Sequence, residues 1–287
     1  MTWQEYEKIV YKNISDNYPN AKLEFNSKLL GKYSKNKRQC DIIIREQIHN
    51  VEYLTLVDAK YYNKKIDVKA VESFISMAED INADKGILVT PLGYSKSAYN
   101  RAENDKYSIL LDIITLEELK NYQGFCAILY AGEYGMILGS AFGWIIDSNQ
   151  RFGMIATSYR IGFDFDKAFK EKEFVYFQFW NKKRDPISAV ELFENQIEQI
   201  NERSKVRYSK IEEINKNSKN LVLRKTIVEN YLAVEYACAI EYDEYIFFGI
   251  LISPENRETV NRLKLIQMIE RAKPAKIKHK NTHHNSA

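Results

Sequence analysis

Asp41, Asp58 and Lys60 stand in two runs of branched and aromatic residues, Gln-Cys-Asp-Ile-Ile-Ile-Arg-Glu (39–46) and Glu-Tyr-Leu-Thr-Leu-Val-Asp-Ala-Lys-Tyr-Tyr (52–62). Such runs around a short polar break read as two strands of a hairpin. Side chains alternate along a strand, so Asp58 and Lys60 share a face, roughly 7 Å apart at the Cα level. A turn centred on His49 and Asn50 sets Asp41 opposite Asp58, and residues directly opposite in an antiparallel pair also share a face. Two carboxylates and an ammonium then meet on a mostly apolar ribbon.

Charges among Ile, Leu and Val are costly unless they pair or hold a metal. Two aspartates on an open face suit a hard, oxygen-seeking ion such as Mg²⁺, which takes one or two carboxylates and keeps several waters; Mn²⁺ is expected to substitute. The lysine can neutralise charge or orient the attacking water. The plainer reading is an Asp58–Lys60 salt bridge with Asp41 capping a turn.

These residues need a sheet and helices to hold them. Residues 2–18 read as a helix with Trp3, Val10 and Ile14 on one stripe, and Glu7 falls in that stripe. A glutamate there needs a partner, or must reach solvent or a lysine. Glu5, beside Lys8, Ile9 and Lys12, looks more exposed. Residues 21–30 suggest a first strand. Lys28, Lys32, Lys35, Lys37 and Arg38 then occur within eleven residues that hold no acid. This basic loop runs into Asp41 and is expected to meet a phosphate backbone, where lysines release counterions; a solvated, flexible loop is the alternative. Residues 67–82 form a helix with a wide apolar face, 85–90 a buried strand, Ser95 caps a helix to about Asp105, 107–115 is a strand, and Thr115 caps a short helix. This alternation predicts an α/β domain with a mixed sheet flanked by helices.

Tyr6-Glu7, Arg-Gln-Cys-Asp (38–41), Val-Asp-Ala-Lys (57–60), Gly-Ile-Leu-Val-Thr (86–90) and Tyr94-Ser95 leading to Ala98 follow one another in a recognisable order. Residues 1 to about 120 resemble the PD-(D/E)XK nuclease superfamily, and most closely its Mrr-type restriction endonucleases. Asp58 stands where Glu or Gln is common in Mrr-type enzymes, and Cys40 where a proline is frequent. The resemblance implies a restriction-endonuclease-like sheet and Mg²⁺-dependent hydrolysis of DNA. Asp41, Asp58 and the Ala59 carbonyl would hold the metal, Lys60 would act on the attacking water and the scissile phosphate, and Glu7 would act through metal-bound water. It also implies a restriction or phage-defence role, and a homodimer or higher homo-oligomer for cutting both strands. A non-catalytic nucleic-acid-binding module and a repair or junction-resolving nuclease are the rival readings.

The rest of the chain narrows the choice. Net charge is only +3 over 287 residues, which argues neither for nor against nucleic acid. Outside the C-terminal stretch His49 is the one histidine, so His-based nuclease, hydrolase and metalloprotease sites are poorly supplied. No Gly-x-x-x-x-Gly-Lys-Ser/Thr loop is present. Cys40, Cys126 and Cys238 lie far apart, which suggests a reducing, cytoplasmic setting without a zinc site. No run has a membrane helix's length, and no N-terminal stretch looks like a signal peptide. Near residue 124 the alternation gives way to Gly-, Tyr- and Phe-rich runs. A boundary is expected there, with 1–123 catalytic and 124–287 a second, α+β domain for target recognition or sensing, ending in a basic, disordered tail from about 273. Strands are expected at 125–131, 135–146, 152–159, 174–180 and across 221–253, and helices at 187–204 and from Pro254 to Arg271. Trp144 and Trp180 read as core before they read as base-stacking platforms.

Overall fold

The computed structural model describes residues 1–48, 50–104, 109–121, 124–216 and 219–277. Its first sheet has the order β1 (Lys22–Leu30), β2 (Lys37–Ile48), β3 (Val51–Ala59), β4 (Lys85–Thr90) and β5 (Leu110–Thr115). The first three strands run antiparallel; β3, β4 and β5 run parallel. Parallel neighbours require crossovers, and helices α2 (Val68–Asp80) and α3 (Lys96–Glu103) supply them.

Alternation along the strands divides the side chains between two covered faces. Ile42, Ile44, Val57, Ile87 and Val89 pack with Tyr6, Val10 and Ile14 of α1 (Trp3–Asn17). Ile43, Leu54, Leu56 and Leu88 pack with Val71, Phe74 and Ala78 of α2. Gly86 matters here, because a Cβ would collide with the Phe74 ring. The helix starts follow the expected chemistry. Thr2 and Glu5 form a capping box, and Asp67 and Ser95 accept from the third helical amide. Thr115 does the same for α4 (Leu116–Asn121). The expected inward Trp3 is corrected: it is exposed, and Tyr6 takes the buried place.

From residue 124 onward the chain builds two antiparallel sheets. Seven strands lie in the order β11 (Val206–Lys216), β12 (Lys219–Val228), β13 (Val234–Glu241), β14 (Tyr245–Ser253), β10 (Phe174–Asn181), β9 (Ala156–Arg160) and β8 (Trp144–Asp147). Three more, β6 (Cys126–Ala131), β7 (Tyr134–Gly139) and β15 (Lys273–Lys276), form the second. Helices α5 (Phe165–Lys170), α6 (Ala189–Arg203) and α7 (Glu258–Arg271) complete this half. Several expectations change. The run at 135–146 is two strands broken at 140–143, Phe152 is fully exposed, and β11 carries too little apolar signal to stand out. The inward face of α7 includes Asn261, Lys264 and Glu270. Lys273–Lys276, expected in a disordered tail, pair with β7; residues 278–287, with His279, His283 and His284, lie outside the described residues. Trp144 is core.

The two halves pack through charge as well as apolar surface. Phe125 and Phe142 enter the two cores of the first sheet. Lys85 and Asp112, both wholly buried, pair at 2.7 Å. Lys85 Nζ also donates to the Ser140 carbonyl and hydroxyl at 2.8 and 2.9 Å, and the Gly143 amide donates to Asp112 Oδ1 at 2.8 Å. Glu103 receives Arg257 at 2.8 Å and Lys264 at 3.5 Å.

Candidate active site

The β2–β3 hairpin has the register that the charge pattern requires. Ile48 faces Val51 and Ile42 faces Val57, so continuing the ladder by one residue sets Asp41 against Asp58. His49 of the expected turn lies outside the described residues; Asn50 is in the turn. The parity of the strands directs Asp41 and Asp58 to the α2 face, with Ile43 and Leu56.

Asp58 is only 3% exposed. Its Oδ2 lies 2.8 Å from Lys60 Nζ, and its buried Oδ1 has no hydrogen-bond partner. Burial, and after it the adjoining Asp41 carboxyl, push the Asp58 carboxyl up to about 7, against the pull of Lys60. Asp41 accepts the Ala59 amide on Oδ2 at 3.0 Å, which ties the two strand ends together. Burial alone would lower the Lys60 ammonium; the Asp58 and Asp41 carboxylates outweigh it and hold it above the usual lysine value. Glu7 of α1 does not line that cleft but feels its charges: burial and then Asp41 raise its carboxyl, while Lys60 draws it down. Beside it, buried Tyr6 packs against Tyr61, the ring centres 5.2 Å apart and the planes tilted by 35°.

Asp41, Asp58 and Lys60 line a cleft of about 510 Å³ under α2. Among the described residues no three His, Cys, Asp or Glu side chains gather as a ready-made metal cage. A pair of adjoining carboxylates, one with a buried oxygen lacking any partner, nonetheless fits a Mg²⁺-like ion that retains much of its water.

The basic stretch is not a flexible loop. Lys28 is in β1, Lys37 and Arg38 open β2, and only residues 31–36 form the turn. Asp80 at the end of α2 holds that turn, accepting the Tyr33 and Ser34 amides at 2.8 and 2.9 Å and the Ser34 hydroxyl at 2.5 Å. Gly31 permits this approach, since a Cβ would strike the Asp80 carboxylate. Arg38 lines the cleft and lies 3.5 Å from Asp80; Lys32, Lys35 and Lys37 are exposed outside it. Sequence reasoning missed Asp80, and also Gln39, Lys69 and Ser73 on the cleft wall. The last two sit four apart on α2, a polar stripe beside the apolar one, which is the signal that could have found them.

Residues 1–120 match the family model of the Mrr catalytic domain, described as a restriction endonuclease. No curated protein matches. Among solved structures, a protein of unknown function, AF1548, is 12% identical with a TM-score of 0.30, over 38% of this chain and 57% of that one. The PsbP protein of Synechocystis sp. PCC 6803 is 12% identical with a TM-score of 0.35, over 53% of this chain and 94% of that one. The DNA modification-dependent restriction endonuclease AspBHI is 20% identical with a TM-score of 0.26, over 41% of this chain and 34% of that one. The match therefore spans about half the length of AF1548 and a third of AspBHI. The family model covers the stretch that carries Asp41, Asp58 and Lys60, and marks residues 1–120 as a restriction-endonuclease domain of the Mrr catalytic type.

Proposed function

We propose that the chain is a Mg²⁺-dependent endonuclease that hydrolyses phosphodiester bonds of DNA, in a restriction or phage-defence role in the cytoplasm. The observation that carries this reading is the Asp58 carboxylate, one of whose buried oxygens has no partner, on the wall of a cleft that Asp41 and Lys60 also line. Asp41, Asp58 and the Ala59 carbonyl would hold the ion, with Mn²⁺ as a substitute. When bound it supplies Lewis-acid stabilisation and a lowered water pKa. Asp58 must be ionised for this, and Lys60 favours the ionised form. The same ammonium, oriented by its ion pair with Asp58, would neutralise negative charge growing on the phosphate. Glu7 accepts a proton from the attacking water or positions it. Arg38 on the cleft wall, with Lys32, Lys35 and Lys37 on the hairpin that Asp80 holds, would take the flanking phosphates.

Residues 1–123 would act as the catalytic unit and 124–287 as the part that recognises target or trigger. Two copies of the chain would cut both strands. Plasmid DNA incubated with Mg²⁺ tests the reading. Wild type should relax and linearise it, whereas Asp58→Ala and Lys60→Ala should leave it supercoiled while retaining the wild-type circular-dichroism spectrum. Equal cleavage by all three would reject these roles, and intact plasmid with every protein would reject the activity.

A further inference from the structure

Lys60 leads out of β3 into a segment, residues 60–66, that the sheet pins at both ends. The Lys60 amide donates to the Val89 carbonyl at 2.8 Å. Ile66 is fully buried; its amide donates to the Gly93 carbonyl at 3.0 Å and its carbonyl accepts the Ser95 amide at 2.8 Å. The Tyr62 amide closes a tight turn onto the Lys60 carbonyl at 3.0 Å. The two tyrosines of that turn have different surroundings. Tyr61 packs on Tyr6, whereas Tyr62 joins neither core of the sheet, is 40% exposed, and lines the same cleft as Asp41, Asp58 and Lys60. Burial lowers the Lys60 ammonium and the Asp58 and Asp41 carboxylates raise it; Tyr62 is the next group to act, so it lies within electrostatic reach of the amine. An aromatic ring on an anchored segment, left open to the cleft, is preorganised surface for a flat ligand face.

The rest of the cleft suits one nucleic-acid strand. Its other wall is α2, where Lys69, Ser73 and Met77 stand at successive turns. Arg38 lies at one end, 3.5 Å from Asp80, and Lys64 at the other, 3.4 Å from Asp67. Both of those carboxylates are already engaged by backbone amides, Asp80 by the 31–36 turn and Asp67 as the cap of α2. Cations therefore stand at both ends of a cleft whose middle holds Asp41 and Asp58, an order that fits phosphates on either side of the one that is cut. The cleft of about 510 Å³ lies within the roughly 300–1,000 Å³ of sites that enclose one small molecule, so it has room for a nucleotide or two of one strand and not for both strands. In a paired duplex the faces of each base are covered by its neighbours. A base offers its face to a side chain once it is unpaired or extruded.

We propose that the nucleotide beside the scissile phosphate is unpaired when it is bound, its base lying on the Tyr62 ring and the next phosphate meeting Lys64 and Lys69. The inference rests on the reading of Asp41, Asp58 and Lys60 as the cleavage site, and gives that site a substrate class. The unpaired nucleotide could be present in the DNA beforehand or be drawn out of a duplex by the protein.

The test reads binding and cleavage apart. Fluorescence anisotropy of the full chain carrying Asp58→Asn, without metal, would measure a single strand, a duplex with a short unpaired bubble, and a fully paired duplex. Cleavage of the same three by the Asp58-intact chain with Mg²⁺ would give kcat and KM. Single strand and bubble bound and cut about tenfold better than the paired duplex point to a base that is already free. Equal use of all three, with sensitivity to Tyr62→Ala, points to a base extruded by the protein. In either case Tyr62→Ala should raise Kd and KM about tenfold, the scale of a lost base–aromatic stack, and Tyr62→Phe, which keeps the ring, should restore both. Replacing Lys64 and Lys69 by Ala should weaken binding of every substrate and lessen its salt dependence. The proposal is overturned if the paired duplex is bound best, if the Tyr62→Ala chain binds all three as before, or if Tyr62→Phe is impaired as much as Tyr62→Ala. Lack of cleavage by the Asp58-intact chain would reject the nuclease reading, while the binding series would still decide what Tyr62 meets.

Discussion

Two lysine–aspartate pairs lie in the same five-stranded sheet, and their difference separates chemistry from architecture. Lys85 and Asp112 are sealed: the ammonium meets Asp112, Ser140 O and Ser140 Oγ, and the carboxylate meets Lys85 and the Gly143 amide. Lys60 and Asp58 form an equally short pair, yet one Asp58 oxygen is unmet, a second aspartate adjoins it, and the pair fronts a cleft. Burial raises the carboxyl in both. The first pair ties its charges to the other half of the chain, as a seam; the second leaves an acceptor unmet beside a cleft, where we propose that a cation binds.

The largest expected effect is at the Asp58–Lys60 pair. Asp58→Ala or Lys60→Ala should lower DNA cleavage by about a thousandfold or more, the scale of a lost metal ligand or charge stabiliser, with the thermal midpoint held or raised in Asp58→Ala. Lys85→Met should do the reverse. It strands Asp112 in the seam and should cost about 3–5 kcal/mol of stability, read by denaturant unfolding, while specific activity per folded molecule is kept. Adding Asp112→Leu should recover much of that loss. Glu7→Gln acts through the metal's surroundings and should slow cleavage by about 10–100-fold without changing stability.

A smaller effect separates the pairs by pH. The metal-free Asp58 carboxyl stands at about 7 in the fold, against roughly 3.9 for an unfolded aspartate. The folded chain therefore holds the extra proton between these values, and stability falls as pH rises from about 4 to 7 and then levels. Saturating Mg²⁺ should lessen that slope, and Asp58→Asn should remove the part of it that Asp58 contributes while Asp112 keeps its own, as thermal midpoints across pH would show. The smallest change is expected at the basic hairpin: replacing Lys32, Lys35 and Lys37 by Ala should reduce the salt dependence of DNA binding by about 2–3 in log–log slope, near 0.9 per phosphate contact.

Local rules made much of this legible. The register of β2 on β3 follows from one polar break between two apolar runs, and it delivers Asp41 to Asp58. Caps at Asp67, Ser95 and Thr115 mark helix starts by side-chain chemistry alone. What stayed hidden depends on contacts distant in sequence. Asp80 reads as the polar end of a helix until the turn at 31–36 folds onto it. Lys264 and Glu270 look solvent-facing on a helix that in fact buries them against Glu103 and Lys216. β11 alternates charge with few apolar residues, so its pairing with β12 carries the strand, not its own composition. Lys85 and Asp112, too, belong to separate strands and become a pair only when residues 140–143 close over them.

The central claim is that Asp41 and Asp58 jointly hold a divalent ion. Anomalous diffraction from crystals soaked in Mn²⁺ tests it with least intervening inference. The account predicts a peak within coordination distance of both carboxylates and lost in Asp58→Asn; a peak elsewhere, or none near either aspartate in crystals that hold Mn²⁺, would contradict it.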